Sequence, residues 1–213
     1  MAKTERDVMR KAENRLEIMR AGYRLFVRRT IDGVSLEEVA DASGFGVATV
    51  YRYFGNKMEL VIAISVWKWE DFWKKYIKKQ DRLEDQSGAS RFGFYLDSYL
   101  ELYRKHRDLL RFNQFFNVYI QGSKKDQKRA GSFEKMVRGI AERFNAVWEQ
   151  GKQDGTLRAE IPWQSVFSAT LHIMMAAVTR YAVGLMYSAK EGADPEEELV
   201  MLRNLLYRQY VRE

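Results

Sequence analysis

Residues 35–57 read SLEEVADASGFGVATVYRYFGNK, and their pattern specifies the structure of the N-terminal part of the chain. Ser35 followed by Glu38 three residues later is a capping-box pattern, which predicts that a helix begins there. Gly44 can adopt the positive φ that ends a helix, and a second helix is expected to start near Gly46. Two short helices joined by a tight turn predict a helix-turn-helix over about residues 35–54.

The second of these helices carries a face rich in hydrogen-bond donors, and the next helix starts with Lys57. The residues expected on the outward face are Ala48, Thr49, Tyr51, Arg52 and Tyr53. Hydroxyls, lysine and helix N-terminal amides are donors for phosphate oxygens, so this face can hold a duplex. Arg52 has two interpretations, a phosphate contact or an ion pair with a neighbouring acid. The alternative for the tyrosines is packing in the core of a plain helical hairpin.

The start of the same helix is built from small residues. Gly46, Val47 and Ala48 would let the backbone enter a major groove and contact thymine methyl groups.

The remainder of the chain also has helical periodicity. Apolar residues recur at i, i+3 and i+4, and no segment alternates for long like a strand. Turn residues divide the 213 residues into about nine helices, which predicts an all-α fold. The only two prolines, Pro162 and Pro195, are expected to start helices, with Asp194 as an N-cap. The domains expected are residues 1–57 for the helix-turn-helix, 58–80 for a connecting helix and 81–213 for a C-terminal domain.

The composition is that of a globular protein, and its positive charge has two interpretations, an anionic partner or the ordinary surface charge of a soluble protein. The chain has no cysteine, which excludes disulfides and thiolate metal sites and fits a reducing cytoplasm. Its net charge is +7, and residues 1–79 hold 16 Lys and Arg against 11 Asp and Glu, while the rest hold 20 against 18. Five of these cations lie between Lys3 and Arg15. Because the excess lies beside the helix-turn-helix, duplex DNA is the expected partner.

Membrane insertion and enzymatic activity are the classes that the sequence disfavours. Residues 163–187 are long and apolar enough to cross a membrane, but polar residues including His172 and Arg180 interrupt them, which indicates a buried helix. His106 and His172 stand alone without metal-ligand spacing, and no nucleophile or phosphate-loop motif occurs. We therefore expect no catalytic site, no metal, no cofactor and no membrane partner.

The stretch resembles the N-terminal domain of the TetR family of transcriptional repressors. That family carries a pattern close to A-x-x-x-G-V-S-x-x-T-[LV]-Y-x-[YH]-F-x-x-K, and the matching residues here are Ala40, Gly44, Thr49, Val50, Tyr51, Tyr53, Phe54 and Lys57. The specific resemblance covers about residues 10–60, including the first helix with Ala21, Leu25 and Phe26. Two positions depart from the pattern: Gly46 stands where serine is usual, and Phe45 replaces valine. Both departures predict weaker or differently angled docking.

The resemblance implies a role for each matching residue. Thr49, Tyr51, Tyr53 and Lys57 would bind phosphates, and Val47 and Ala48 would approach bases. Ser35 would cap the second helix and reach the DNA backbone.

The C-terminal part resembles the family in architecture only, as a helical domain with a ligand pocket and a dimer interface. Aromatic and soft side chains are abundant there, and they have two interpretations, core packing or the wall of a cavity for an apolar or aromatic ligand. The candidate pocket residues are Tyr95, Tyr99, Phe112, Phe115, Phe116, Tyr119, Trp148, His172 and Met175. His172 is either a hydrogen-bonded core histidine or the group that orients the ligand.

The helix after Pro162 is apolar on more than one face, so it needs two partners. Its own core and the matching helix of a second copy are the expected pair, together with the last helix of the chain. The predicted interface residues are Phe167, Met174, Tyr181, Leu199, Leu202, Leu206 and Tyr210.

These patterns together predict a cytoplasmic, DNA-binding transcriptional regulator. A homodimer would place two recognition helices on an inverted-repeat operator of double-stranded DNA. The resemblance implies a repressor that a small-molecule effector releases through the connecting helix. An activator, a ligand-independent regulator and a nonspecific DNA-binding protein remain alternatives, which the spread of affinities over DNA sequences would distinguish.

Overall fold

A computed structural model of the protein describes residues 2–83, 85–122, 131–158, 160–184 and 194–212, with side chains from residue 5 onward. These residues form α1 (Ala2–Arg29), α2 (Leu36–Ser43), α3 (Val47–Phe54), α4 (Lys57–Gln80), α5 (Gly88–Lys105), α6 (Arg107–Gln121), α7 (Gly131–Gln153), α8 (Trp163–Val183) and α9 (Pro195–Tyr210). Within the described part the only β contact is an isolated antiparallel bridge between Leu157 and Val211. The predicted all-α fold with nine helices is confirmed.

The chain divides into two compact units. The first comprises Met1–Trp69 and Phe112–Glu134, and the second comprises Glu70–Arg111 and Lys135–Glu213. The boundaries fall inside α4, α6 and α7, so each of these helices contributes residues to both units.

The first unit has a core made by one face of each of its helices. Phe26 of α1, Val39 of α2, Val50 of α3 and Leu60 of α4 are fully buried in it. Phe112 of α6 joins the same cluster, and its ring centroid lies 5.5 Å from that of Tyr23. The buried positions on α2 and α3 are those that helical periodicity predicts, so the opposite faces of both short helices are left outside the core.

The second unit is held by aromatic packing among α5, α7, α8 and α9. The ring centroid of Phe92 lies 6.1 Å from Phe144, 5.9 Å from Trp148 and 6.0 Å from Tyr210. Such edge-to-face pairs add to the free energy gained from burying the rings. Because Phe92 contacts rings of both α7 and α9, it ties three helices together.

The close approach of α5 and α7 depends on two glycines. A Cβ added at Gly88 would lie 2.1 Å from the Cα of Gly151, and a Cβ at Gly151 would lie 2.2 Å from Cδ1 of Leu157. Real Cβ atoms are not found at these distances, so a larger residue at Gly88 would force the helices apart, and one at Gly151 would displace Leu157, which follows α7.

The starts of the last two helices agree with the prolines predicted to mark them. Pro162 precedes the first residue of α8, and Pro195 occupies the first turn of α9. The Asp194 carboxylate accepts a hydrogen bond of 3.1 Å from the Glu196 amide, which confirms the predicted N-cap. The predicted apolar helix over 163–187 ends at Val183 in the described residues, and its last residues lie outside them.

Helix α8 is the one helix in the described ranges that is long and apolar enough to cross a membrane by length and composition. A core helix of a soluble protein meets the same criterion, so the finding is weak evidence. In this structure α8 packs on α5 and α9 and buries Val166, Met174 and Val178.

Candidate functional site

The helix-turn-helix of the first unit is closed by the capping box and the turn glycine that its sequence predicts. The Ser35 hydroxyl accepts the Glu38 amide at 3.2 Å, and the Glu38 carboxylate accepts the Ser35 amide at 2.8 Å. Gly44 adopts φ 74°, its N–H donates to the Asp41 carbonyl at 3.2 Å, and the Phe45 N–H donates to Ala40 at 3.1 Å. Both predictions are confirmed, and together they fix the direction in which α3 leaves the turn.

An arginine from α1 reinforces this cap. The Arg29 guanidinium donates to the Glu38 carboxylate at 2.6 Å and to the Gly33 carbonyl at 2.9 Å. The Ser35 amide hydrogen bond, and then Arg29, lower the pKa of Glu38 below its ordinary 4.5. The carboxylate therefore keeps its charge to a lower pH than an unpaired glutamate does.

The two faces of α3 are separated as its sequence predicts. Val50 and Phe54 are buried. The predicted DNA-contact residues on the other face are exposed (Ala48, Tyr51 and Arg52) or half-buried (Val47, Thr49 and Tyr53).

The two tyrosines of α3 differ in their surroundings. Tyr51 is 46% exposed, so its ring is not core. Tyr53 packs at the edge of the core, with its ring centroid 6.4 Å from Phe54 and 5.9 Å from the Arg52 guanidinium. The core-packing interpretation therefore fits Tyr53 in part, because one side of its ring contacts the core, and does not fit Tyr51.

The N-terminus of α3 carries no side-chain cap. Gly46 adopts φ −67° and ψ 148°, which any residue tolerates, and makes no side-chain hydrogen bond. An added Cβ there would meet no atom within 4 Å. The first-turn amides of α3 therefore lack the acceptor that a serine would supply, and they lie at the exposed end of the helix.

Lys57 is held beside the helix-turn-helix by two contacts. Its Nζ lies 3.5 Å from the Asp32 carbonyl oxygen and 5.4 Å from the centroid of the Tyr119 ring. Partial burial lowers the pKa of Lys57 below its ordinary 10.5, although Asp32 and Glu38 oppose the shift. A partly desolvated cation gains more from a phosphate than a fully hydrated one, because less hydration is lost on binding.

Two further residues of this surface carry no clear signal in the sequence. Asn56 caps α4, since its Oδ1 accepts the Glu59 amide at 3.0 Å, and this cap precedes Lys57 directly in the chain. The exposed Arg15 places its guanidinium 4.9 Å above the Phe54 ring, which brings the basic N-terminal cluster next to α3. Charge counting found that cluster, but only the packing of α1 shows which cation lies near α3. The side chain of Lys3 lies outside the described residues.

The second unit contains a cavity of about 320 Å³ formed by α4, α5 and α7. Its wall includes Trp73, Tyr76, Tyr95, Ile140, Arg143 and Phe144. Of the predicted pocket residues, only Tyr95 lines it. The apolar stripes of α4 and α7 are visible in the sequence, but their spacing cannot show that they face each other across a space.

The other predicted pocket residues lie elsewhere. Tyr99 and Trp148 are buried in the aromatic core of the second unit, and Met175 is half-buried on α8. Phe112, Phe115, Phe116 and Tyr119 pack in the core of the first unit. His172 is exposed, with its Nδ1 3.4 Å from the Ser168 hydroxyl, so it is neither a core histidine nor a cavity residue in this chain. Core packing is therefore the interpretation that fits most of these aromatic side chains.

The predicted interface residues lie mainly on the inner faces of α8 and α9. Phe167, Met174, Leu199 and Leu206 are buried in the protomer, while Tyr181, Leu202 and Tyr210 are half-buried. A side chain at 0% exposure, such as Met174, has no surface for a second copy. The apolar side chains that these two helices expose are instead Ile173, Val183, Met201 and Leu205. Helical periodicity identified the two helices, and which of their faces meets a second copy stays a prediction.

The described residues contain no group of three or more His, Asp or Glu side chains placed to hold a metal ion. His106 lies at the α5–α6 junction, with its ring centroid 5.4 Å from Phe72, remote in sequence and element from the exposed His172.

Comparisons with known proteins agree with the geometry of the first unit. Residues 18–64 match the family described as bacterial regulatory proteins, tetR family. The chain is 26% identical over 157 residues to the uncharacterized HTH-type transcriptional regulator YfiR of Bacillus subtilis, covering 73% of this chain and 74% of that protein.

Solved structures resemble the chain over nearly its whole length. The fatty acid degradation regulator FadR of Bacillus halodurans superposes with a TM-score of 0.70 at 16% identity, covering 91% of this chain and 94% of the other. FadR of Bacillus subtilis, solved in complex with stearoyl-CoA, gives 0.73 at 14% identity, covering 90% and 97%. KstR2 of Mycobacterium tuberculosis, a ketosteroid transcriptional regulator, gives 0.62 at 14% identity, covering 93% and 95%. At these identities the likeness shows a shared fold.

Proposed function

We propose that this chain, whose residues 18–64 match the tetR family of bacterial regulatory proteins, is a DNA-binding repressor of that family that places α3 in the major groove of its operator. The observation that carries the proposal is the exposed hydroxyl- and arginine-bearing face of α3, flanked by a lysine that the Asp32 carbonyl and the Tyr119 ring hold in place. Donors fixed before binding lose less conformational freedom when they meet phosphates.

The contacts proposed divide into two kinds. Thr49, Tyr51, Tyr53 and Lys57 bind phosphates and set the register on the duplex, with Ser35 and Arg52 beside them. Gly46, Val47 and Ala48 lie at the N-terminal end of α3, where small side chains allow contact with base edges. Because so few side chains reach the bases, most of the affinity should come from phosphate contacts and should fall with salt.

We propose a homodimer formed through the exposed apolar faces of α8 and α9. Ile173 is 43% exposed, Met201 60% and Leu205 58%, and large apolar side chains in this state mark an interaction surface when they cluster on adjacent helices. Two-fold symmetry would place two α3 helices on an inverted repeat, with half-sites roughly one turn of DNA, about 34–36 Å, apart or slightly more.

The proposed effector is a small apolar or aromatic molecule bound in the cavity of the second unit. The cavity wall is mainly apolar, and a structural neighbour was solved with stearoyl-CoA. Helix α4 begins with Lys57 and carries Trp73 and Tyr76 of the cavity wall, so a ligand that prefers one position of this helix would change DNA affinity. We place the protein in the cytoplasm, where its DNA is, and expect no enzymatic activity.

The test is selection of bound sequences from random double-stranded DNA by the full-length protein. We expect enrichment of an inverted repeat and an affinity at least ~1,000-fold above that for unrelated DNA. Enrichment of no sequence, together with equal affinity for all competitors, would favour the nonspecific alternative.

Variants then test the assignment of the surface. We expect Lys57→Ala to weaken binding of the selected DNA and to lower its salt slope by about one charge, and Tyr51→Phe to weaken it through a lost phosphate hydrogen bond. The matched control is Lys75→Ala, since Lys75 lies in the second unit and pairs with Asp71 on the same helix. Affinities of both surface variants equal to that of the control would refute the assignment.

A further inference from the structure

The cavity of the second unit has two buried polar groups without partners in its wall. Tyr76 is 5% exposed and Trp73 is 9% exposed, and both line the cavity. Neither the Tyr76 hydroxyl nor the Trp73 indole Nε1 has a hydrogen-bond partner among the described groups of the protein. Because buried polar groups are nearly always hydrogen-bonded, two such groups in one wall indicate a partner from outside the chain.

Both groups would meet that partner as hydrogen-bond donors. An indole nitrogen can only donate. Burial, and then the neighbouring Tyr95, raise the pKa of Tyr76 well above its ordinary 10.0, so its hydroxyl keeps its proton at physiological pH. The other tyrosine in the wall differs, since the Tyr95 hydroxyl already pairs with that of Tyr99 at 2.6 Å. The two unpartnered groups of the wall therefore require a hydrogen-bond acceptor on the ligand.

The remaining wall residues define the rest of the ligand. Ile77, Met136, Ile140, Phe144 and Val147 offer an aliphatic and aromatic surface. The charged wall residues are Lys74, Arg143 and Glu70, and Arg143 has Asp81 3.7 Å away. Asp81 offsets Arg143, and Glu70 offsets Lys74, so these side chains add little net charge. A positively charged ammonium ligand is disfavoured because it would bring further donors, and no acceptor, to two unpartnered donors.

We propose that this cavity binds an apolar or aromatic molecule bearing a carbonyl-type oxygen, in a ketone, an ester or a carboxylate, which accepts hydrogen bonds from Tyr76 and Trp73. A cavity of about 320 Å³ holds about ten water-sized groups of ~30 Å³ each, which sets the scale of the molecule. The inference names the chemical class of the effector in the proposed function and rests on that function only for its regulatory meaning.

The test compares four naphthalenes substituted at one ring position, by calorimetric titration of the full-length protein without DNA. Acetylnaphthalene and naphthoate carry the acceptor as a neutral ketone and as a carboxylate. Ethylnaphthalene has nearly the same shape without an acceptor, and naphthylmethylammonium is a cation. We expect at least one acceptor probe to bind ~3- to 10-fold more tightly than ethylnaphthalene, and the cation to bind most weakly. The ranking of the two acceptor probes distinguishes the neutral class from the anionic one.

Variants connect this preference to the two donors. Tyr76→Phe and Trp73→Phe should each weaken the preferred acceptor probe by ~3- to 10-fold and leave ethylnaphthalene unchanged. Tyr103→Phe is the matched control, since Tyr103 is a buried tyrosine of the same unit outside the cavity wall. Gly139→Leu should abolish binding of every probe while α7 persists, because Gly139 lines the cavity, an added Cβ meets no atom within 4 Å, and leucine is a good helix former.

The inference is overturned if no probe binds, if acceptor probes bind no better than ethylnaphthalene, or if both donor variants bind the acceptor probe as tightly as the parent protein. These outcomes leave DNA binding untouched, because no DNA is present. Release of the selected DNA by the acceptor probe from the parent protein, but not from Gly139→Leu, would support ligand control. If the probe binds tightly but does not release the DNA, regulation of DNA binding by this class of ligand is refuted, while the binding site itself is supported.

Discussion

The substitution Gly46→Ser should stabilise α3 and tighten DNA binding together. Gly46 is the N-cap residue of α3, it has a backbone conformation open to any residue, and no atom lies within 4 Å of an added Cβ. A serine hydroxyl there can accept an amide of the first turn of α3, as Ser35 does for α2. The change therefore supplies a missing cap without steric cost.

Two terms set the size of the effect. Serine exceeds glycine as an N-cap by a few tenths of a kcal/mol. Replacing glycine also removes conformational freedom from the unfolded chain, which contributes about 0.4–1 kcal/mol. The sum is about 0.5–1.5 kcal/mol, or roughly 1–5 °C in Tm for a chain of this size.

The measurement is thermal unfolding by circular dichroism, with hydrogen exchange of the α3 amides as a local readout. Gly46→Ala is the matched control, because alanine brings the same loss of freedom but caps poorly, by about 1 kcal/mol relative to serine. Equal stability of the serine and alanine variants would refute the capping argument.

The same variant tests how the helix meets DNA. A serine at this position would also offer a phosphate contact that the glycine lacks, worth about 0.5–1.5 kcal/mol, or roughly 2- to 10-fold in affinity. Stabilisation without tighter binding would mean that no phosphate lies near the start of α3.

Three other substitutions probe the folded chain. Gly88→Ala should lower the free energy of unfolding by about 3 kcal/mol or more, because its Cβ would overlap the α7 backbone. Gly139→Ala has open space around its Cβ and should stabilise α7 by up to about 1 kcal/mol. Equal melting temperatures of the two variants would contradict this packing. Glu38→Gln should flatten the acid limb of the stability profile: a carboxylate with a lowered folded pKa stabilises above its unfolded pKa and loses that contribution as pH falls through the folded value. Urea unfolding at a series of pH values from 6 to 3 measures the free energy of unfolding. If the variant loses as much stability on acidification as the parent protein, this role of Glu38 is contradicted. Tyr99→Phe should destabilise by about 1–2 kcal/mol because its hydroxyl is paired, while Tyr76→Phe should be neutral or stabilising because that hydroxyl is not; the reverse order would contradict the pairing assigned to the two hydroxyls.

The helix-turn-helix was predictable because its determinants are local. Ser35 and Glu38 interact across three residues, and Gly44 ends α2 through its own backbone preference. The prolines before α8 and α9 act in the same way, through a fixed φ and a missing amide. By contrast, the break between α5 and α6 at His106 contains neither glycine nor proline, so the local sequence does not predict it. It is a bend that depends on packing around it, including the contact of its ring with Phe72.

The candidate site was predictable to the same extent. The outward face of α3 follows from periodicity alone, because burying Val50 and Phe54 leaves Ala48, Tyr51 and Arg52 exposed. The placement of Lys57 against the Asp32 carbonyl and the Tyr119 ring joins three distant parts of the chain, and nothing in residues 35–57 specifies it.

Local sequence patterns are sufficient to specify the helical class, the helix-turn-helix with its cap and its donor face, and the uneven charge that points to DNA. Each of these depends on residues within about one or two helical turns of each other, where backbone preference and side-chain spacing decide the outcome. The tertiary structure alone decided which aromatic side chains are core and which line the cavity, and which faces of α8 and α9 remain exposed. An apolar stripe predicts only that a helix face is buried. Which helix covers that face depends on the packing of helices far apart in the chain.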